Sequence, residues 1–307
     1  MRSRLPLAIS CCLCTAFAVG VMLARSQPPP SSRRTVALWT GTAPGATGSE
    51  AADRPTITLF RPPAGTAVPM AVVVLPGGGY GSVMTDHEGS RIAEWLNARG
   101  VFAAVVTYRV APRYRHPTPL IDAQRAIRTV RARAAEFGIA PDRVGVWGFS
   151  AGGHLAATTG TQFDFGDPNA ADPIDRVSSR PDFLILSYPV ISLIEPYAHA
   201  GSRRNLLGDA PDRSLRERLS AERRVTAKTP STFLFHTADD PVVPVENSLA
   251  FFAALRKAGV PAELHIYEHG PHGVGLATDD PALADWTVRL ANWLKISGLS
   301  EERKAVQ

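Results

Sequence analysis

Residues 145–157, GVWGFSAGGHLAA, decide the reading of this chain. A strand predicted over Val144–Trp147 has to give way to a helix predicted over Ala151–Thr159 within a few residues. The reversal forces Ser150 into a strained conformation that lifts its hydroxyl clear of the sheet. Gly148 and Gly152, two residues to either side, remove the Cβ atoms that would collide at such a corner. The helix beginning at Ala151 aims free N–H groups, and the positive end of its dipole, at whatever the serine meets. A tight strand–helix turn with Ser150 as N-cap would explain the glycines equally well. The companions of Ser150 have to separate the two readings.

An attacking serine needs a base, and the base needs a carboxylate to orient it. Downstream, a strand over Thr232–His236 ends in two acids, Asp239 and Asp240, followed by PVVP at 241–244. Beyond the strand Glu263–Tyr267 comes EHGPHG at 268–273. Asp240 is the expected acid, because it stands where the loop turns into the next helix; Asp239 is expected to be solvated or to bond the loop backbone. His272, between Pro271 and Gly273 in a loop that can swing to the serine, is the expected base. His269 lies nearer the strand end and can simply pack or hydrogen-bond there.

Acyl transfer also needs donors for an oxyanion. The run LPGGGYG at 75–81 follows the strand Ala71–Leu75, and its glycines let backbone N–H groups approach a substrate unobstructed. Gly78, Gly79 and Ala151 are the expected donors. A triple glycine could also cradle phosphate, but no G-K-[ST] follows and no G-x-G-x-x-G opens a helix. The other histidines form no spaced cluster with acids, and three adjacent residues such as Asp86, His87 and Glu88 cannot all face one ion. No metal and no cofactor are expected. His87 and Glu88 are candidates for lining the leaving-group side of a pocket, or for capping the following helix. Tyr80, with Tyr188, Tyr197 and Trp147, is a candidate for stacking a ring of a bound substrate, although aromatics beside strands commonly belong to a core.

The fold follows from the pattern outward from this corner. Ile57–Phe60, Ala71–Leu75, Val101–Tyr108, Val144–Trp147, Phe183–Ser187, Thr232–His236 and Glu263–Tyr267 read as strands. Arg91–Arg99, Leu120–Phe137 (with Gly138 at its C′ position), Ala151–Thr159, Pro244–Lys257 and Pro281–Ile296 read as helices. Strands apolar on both faces and separated by helices imply an α/β protein, a mostly parallel sheet with helices on both faces. The stretch 189–230, rich in arginine and poor in strand signal, is expected to form a small cap insertion. The predicted domain runs over 36–300, preceded by a linker at 27–35 (QPPPSSRRT) and followed by a tail at 301–307.

The chain has 307 residues, enough to bury a substantial core, with 45% hydrophobic and 20% charged residues. Its net charge of +5 is scattered, with no run of five or more like charges, and reads as a solvated basic surface rather than a nucleic-acid face. All three cysteines, Cys11, Cys12 and Cys14, fall in an apolar start that has the shape of a secretory signal over residues 1–26. An uncleaved membrane anchor over Leu5–Ala24 is the alternative. With the leader removed no cysteine remains, so an exported periplasmic or extracellular protein needs neither disulfide nor thiol.

From Val36 to Gly298 the chain resembles the α/β-hydrolase superfamily. It is most similar to bacterial carbohydrate acetyl esterases and acetylxylan-esterase-like proteins, and more widely to the hormone-sensitive-lipase-like esterases. The segments that carry the resemblance are LWTGTAPGATG (38–48), LPGGGYGSVMTDHEG (75–89), TYRVAP (107–112), GFSAGGHLA (148–156), HTADDPVVPVENS (236–248) and HGPHGVGL (269–276). The resemblance implies Ser150 as nucleophile, Asp240 as acid, His272 as base and the Gly78–Gly79 pair as oxyanion donors. One departure is Pro76, which stands where the lipase-like group usually carries histidine and points to the sugar-ester branch. The implied activity is hydrolysis of short, acetyl-type esters on a small-molecule or oligosaccharide alcohol such as xylan. The rivals are a feruloyl esterase, lipase-like carboxylesterase or exopeptidase of the same fold, or a non-catalytic binding protein.

Overall fold

The computed structural model of the chain describes residues 33–296. Eight strands form one open sheet: β1 (Arg33–Ala37), β2 (Thr56–Phe60), β3 (Ala71–Leu75), β4 (Phe102–Thr107), β5 (Val144–Phe149), β6 (Phe183–Ser187), β7 (Ser231–Thr237) and β8 (Ala262–Tyr267). The spatial order is β1-β2-β4-β3-β5-β6-β7-β8. β1 and β2 are antiparallel to each other, and β2 to β4; every pairing from β4 through β8 is parallel.

The central parallel strands are apolar because both of their faces are covered. Along β3, Ala71, Val73 and Leu75 enter one core while Val72 and Val74 enter the other; Ala104 and Val106 of β4 likewise oppose Ala103 and Val105. The first core is roofed by α2 (Thr118–Ala132), α3 (Ala134–Phe137), α4 (Ser150–Thr161) and α7 (Glu246–Lys257). The second is roofed by α1 (Arg91–Asn97) and α8 (Trp286–Leu294). There Trp286 stacks on Phe235 with centroids 4.3 Å apart and meets Trp147 edge-on.

The structure departs most from the sequence reading in three places. Arg33–Thr35, expected in the linker, belong to β1, which pairs with β2 in register Arg33 to Phe60. The helix expected over Leu120–Phe137 starts at Thr118 and is broken at Arg133, whose backbone leaves the helical region (φ −103°, ψ 19°) before α3. The last helix begins at Trp286, since residues 281–285 form turns. Gly138 does take the left-handed conformation that ends α3 (φ 70°). The expected leader, residues 27–32 of the linker and the tail lie outside the described residues. Among those described, no helix is long and apolar enough to cross a membrane.

The connection from β6 to β7 spans 188–230 and carries α5 (Ala200–Leu207) and α6 (Arg213–Arg218). It bonds back to the body of the protein at several points: Asn205 Nδ2 donates to the Gly79 carbonyl, His116 N–H to Leu206, and His154 Nε2 to Leu219.

Candidate active site

Ser150 is the first residue of α4 and holds φ 52°, in the left-handed region that a residue bearing a Cβ rarely enters. The corner closes only because its flanking positions lack side chains. A Cβ on Gly148 would lie 2.2 Å from the Gly152 carbonyl oxygen, and one on Gly152 would lie 2.1 Å from that of Leu75. The serine is thus pressed between the end of β5 and the loop that follows β3.

The structure joins this hydroxyl to the expected partners in a single hydrogen-bonded chain. Ser150 Oγ lies 2.8 Å from His272 Nε2, and His272 Nδ1 lies 2.7 Å from Asp240 Oδ2. A carboxylate can only accept, so Nδ1 carries the imidazole hydrogen and Nε2 offers its lone pair to the serine hydroxyl. Asp240 has a fully buried side chain three residues beyond β7. Its Oδ1 accepts the N–H groups of Val242 and Val243 at 2.8 and 2.9 Å. Burial by itself would push this carboxyl up; bonds from His236, His272, Val243 and Val242 outweigh it and hold the group well below the usual carboxylate range. Asp239 instead bonds His269 Nδ1 and the Gly270 N–H at the exposed rim of the same loops.

The glycine loop presents two N–H groups without partners. Three successive peptide units are fixed through their carbonyls: Pro76 O accepts from Tyr108 Oη, Gly77 O from Met84 N, and Gly78 O from the N–H groups of Gly81 and Ser82. In a trans peptide the N–H points opposite its carbonyl, so fixing one fixes the other. The first N–H, on Gly77, goes to Glu88 Oε2. The next two, on Gly78 and Gly79, have no acceptor among the described residues. Glycine is required at Gly78, where φ is 124° and a Cβ would sit 2.3 Å from the Ser82 carbonyl. The loop lies against the serine, since a Cβ on Gly77 would be 3.0 Å from that of Ser150. The Ala151 N–H is in the first turn of α4, where no intrahelical acceptor exists.

The remaining candidates take other places. Tyr80, Tyr188 and Trp147 are each at most 2% exposed and belong to the core, so of the two readings for these rings the structure leaves no face for stacking; Tyr197, in the β6–β7 connection, is half-buried. Glu88 is buried, and no side chain caps α1. His87 donates Nε2–H to the Gly273 carbonyl at 2.6 Å and lines a cavity of about 300 Å³ with Arg91, Pro271, Val274 and Leu276. Among the described residues no group of three or more His, Cys, Asp or Glu is placed to hold a metal ion.

Sequence reading missed the partners behind the site. His236 on β7 sits beneath Asp240, its Nε2 3.4 Å from Oδ2, with Nδ1 on Ser248. Its spacing of four residues before Asp240 was the available signal. Arg109 and Asp122 form a fully buried two-pronged ion pair that holds the loop after β4, where the Ala111 N–H supports the Tyr80 carbonyl. His154 accepts from Tyr80 Oη at 2.8 Å through Nδ1 and donates Nε2–H to Leu219, tying the glycine loop to the β6–β7 connection through α4.

Burial, only partly offset by the bond to Leu219, pushes the His154 pKa down from 6.5 to about 4. The unfolded chain therefore binds this proton between those values and the folded one does not. The His154 contribution should be complete above pH 6.5 and diminish as pH falls towards 4, by up to about 3 kcal/mol. Urea midpoints at pH 7 and 4.5 will show it as a difference between wild type and His154→Gln, which keeps a donor and an acceptor but does not titrate. Equal pH dependence in the two proteins would exclude it.

Comparison with known proteins places these features in a family. A family model described as BD-FAE matches residues 57–255, which include Ser150 and Asp240 and end before His272. An acetylxylan esterase of Xylanibacter ruminicola is 37% identical over 233 residues, 73% of this chain and 45% of that protein. Endo-1,4-beta-xylanase B of Butyrivibrio fibrisolvens is 38% identical over 212 residues, 68% of this chain and 33% of the relative. The chain thus spans less than half the length of these two relatives. The crystal structure of an acetyl ester-xyloside bifunctional hydrolase from Caldicellulosiruptor lactoaceticus superposes with a TM-score of 0.82 at 46% identity, covering 88% of this chain and 98% of that one.

Proposed function

Since the chain belongs to the BD-FAE family, we propose that it is a serine esterase that removes acetyl or similarly short acyl groups from carbohydrate, such as xylan or its oligosaccharides. The observation that carries this reading is the chain from Asp240 through His272 to Ser150 beside two unpartnered N–H groups. Ser150 Oγ attacks the ester carbonyl as its proton passes to His272 Nε2, and Asp240 holds Nδ1–H and stabilises the imidazolium. The tetrahedral oxyanion lies on the N–H groups of Gly78, Gly79 and Ala151, each such donor contributing on the order of 10²–10³ in rate. Collapse expels the sugar alkoxide, which takes the proton from Nε2. Water then repeats the sequence on the acyl-enzyme and releases acetate.

The choice of substrate draws on the printed names of the relatives, an acetylxylan esterase and an acetyl ester-xyloside hydrolase. The cavity beside His87 would take part of the sugar alcohol, and residues 189–230 would act as a cap over the acyl side. Export through residues 1–26, as a cleaved signal or an anchor, belongs to the same reading and puts the enzyme where polysaccharide is found. The test is acetate release from acetylated xylo-oligosaccharides, with a series of p-nitrophenyl esters from acetate to decanoate. Acetate should be the best acyl group. A preference for eight carbons or longer, or faster release of ferulate than of acetate from sugar esters, would overturn the assignment.

A further inference from the structure

Glu88 is buried (4% exposed), yet among the described residues neither lysine nor arginine bonds to it. A carboxylate in the interior without a cation is costly unless its oxygens are satisfied by donors. Here each oxygen serves a different segment. Oε2 accepts the Gly77 N–H at 2.7 Å, and Oε1 accepts the Tyr188 hydroxyl at 2.8 Å. Tyr188 in turn accepts the Gly275 N–H at 2.9 Å and sets its ring edge against the His272 imidazole, with centroids 5.0 Å apart. Tyr188 pays for this placement in backbone strain, at φ 38°. The adjacent His87 grips the same loop at the Gly273 carbonyl.

The wide turn Asp86–Ser90 therefore holds two things at once: the loop that presents the Gly78 and Gly79 N–H groups, and the loop that carries the base. We propose that Glu88 is a positioning residue that sets the oxyanion donors and the His272 imidazole in register about Ser150. The inference rests on the serine-esterase reading. A carboxylate is needed because both partners donate to it. Glutamine has the same shape but must turn its NH₂ towards one of them, leaving either the Gly77 N–H or the Tyr188 hydrogen without an acceptor. The hub thus couples loops roughly 190 residues apart in sequence through a single side chain, and sub-ångström drift in either loop acts on the reacting geometry.

The test compares Glu88→Gln and Tyr188→Phe with wild type by steady-state kinetics, melting temperature and peptide-level hydrogen exchange. For Glu88→Gln, kcat on p-nitrophenyl acetate should fall about 10- to 100-fold with KM within about threefold. Amide exchange should accelerate both in the loop 77–82 and in the loop 273–276. Tyr188→Phe should accelerate exchange at 273–276 while leaving 77–82 near wild type. The proposal is overturned if Glu88→Gln keeps kcat within about twofold, if it raises KM alone, or if exchange rises evenly over the chain, the mark of a packing role. Should Glu88→Gln fail to fold, the exchange pattern of Tyr188→Phe decides. Exchange is read without turnover, so a wild-type protein that hydrolyses no ester would defeat the esterase reading and still leave the coupling of the two loops measurable.

Discussion

Ser150→Ala should lower kcat for p-nitrophenyl acetate by about 10⁴–10⁶-fold and leave the fold intact. The size of the effect follows from the site having a single attacking atom. Among the described residues the hydroxyl in contact with the imidazole is Ser150 Oγ, 2.8 Å from His272 Nε2. With the oxygen gone, the N–H groups of Gly78, Gly79 and Ala151 and the imidazole can still polarise a bound ester, but water must attack without being positioned. Stability should hardly change, because alanine meets the same left-handed strain at φ 52° that serine already bears. An active-site-directed fluorophosphonate should label wild type at Ser150, read by mass spectrometry, and fail to label the variant. Retention of more than about 1% of wild-type kcat would remove the acyl-enzyme mechanism.

The second large effect is expected at the carboxylate. Asp240→Asn should cost about 10⁴ in kcat with substrate affinity little changed. Asp240 accepts on both oxygens: Oδ1 takes the Val242 and Val243 N–H groups and Oδ2 takes His272 Nδ1–H. An amide has one oxygen. If it faces the valines, the NH₂ faces Nδ1, the imidazole shifts its hydrogen to Nε2, and the lone pair that should receive the serine proton is lost. If it faces the histidine, the NH₂ meets two N–H donors and the loop opens. Either way the base fails. Because the folded carboxyl is held below its ordinary range, its contribution to stability is present above roughly pH 4 and is lost as pH falls further. Asp240→Asn should therefore flatten the acid limb of the stability profile below that pH. A kcat loss smaller than about tenfold would show that the imidazole is oriented by something else.

Much of the fold was legible because the central parallel strands are covered on both sides and so read as apolar runs. β3, with the sequence AVVVL, is the clearest case. β1 escaped for the opposite reason. Its residues RRTVA lie at the open edge, four of the five exposed, and carry no apolar signature to separate a strand from a tether. Nor could composition foresee the break at Arg133, since the residues around it favour a helix on either side. In the site, chain order, glycine spacing and loop position sufficed to select Asp240 over Asp239 and His272 over His269, and the structure brings the selected pair to Ser150. What the sequence concealed was everything that depends on contacts between distant segments. Tyr80 and Tyr188 were read as candidate sugar platforms, whereas the packing of the glycine loop and the β6 terminus turns both inward, their hydroxyls on His154 and Glu88. No local pattern records such pairings.

The position of β8 has a consequence for how this protein stops working. That strand has a neighbour on one side only, β7, and Ile266 within it is 40% exposed. The imidazole hangs five residues beyond its end, so the proposed base depends on a margin of the sheet that is paired on one side only. On warming, the hydrogen-bonded chain from Asp240 through His272 to Ser150 should break through fraying of that margin while the centre, with the serine and its glycines, is still intact. On cooling, re-zipping one strand would be enough to restore it.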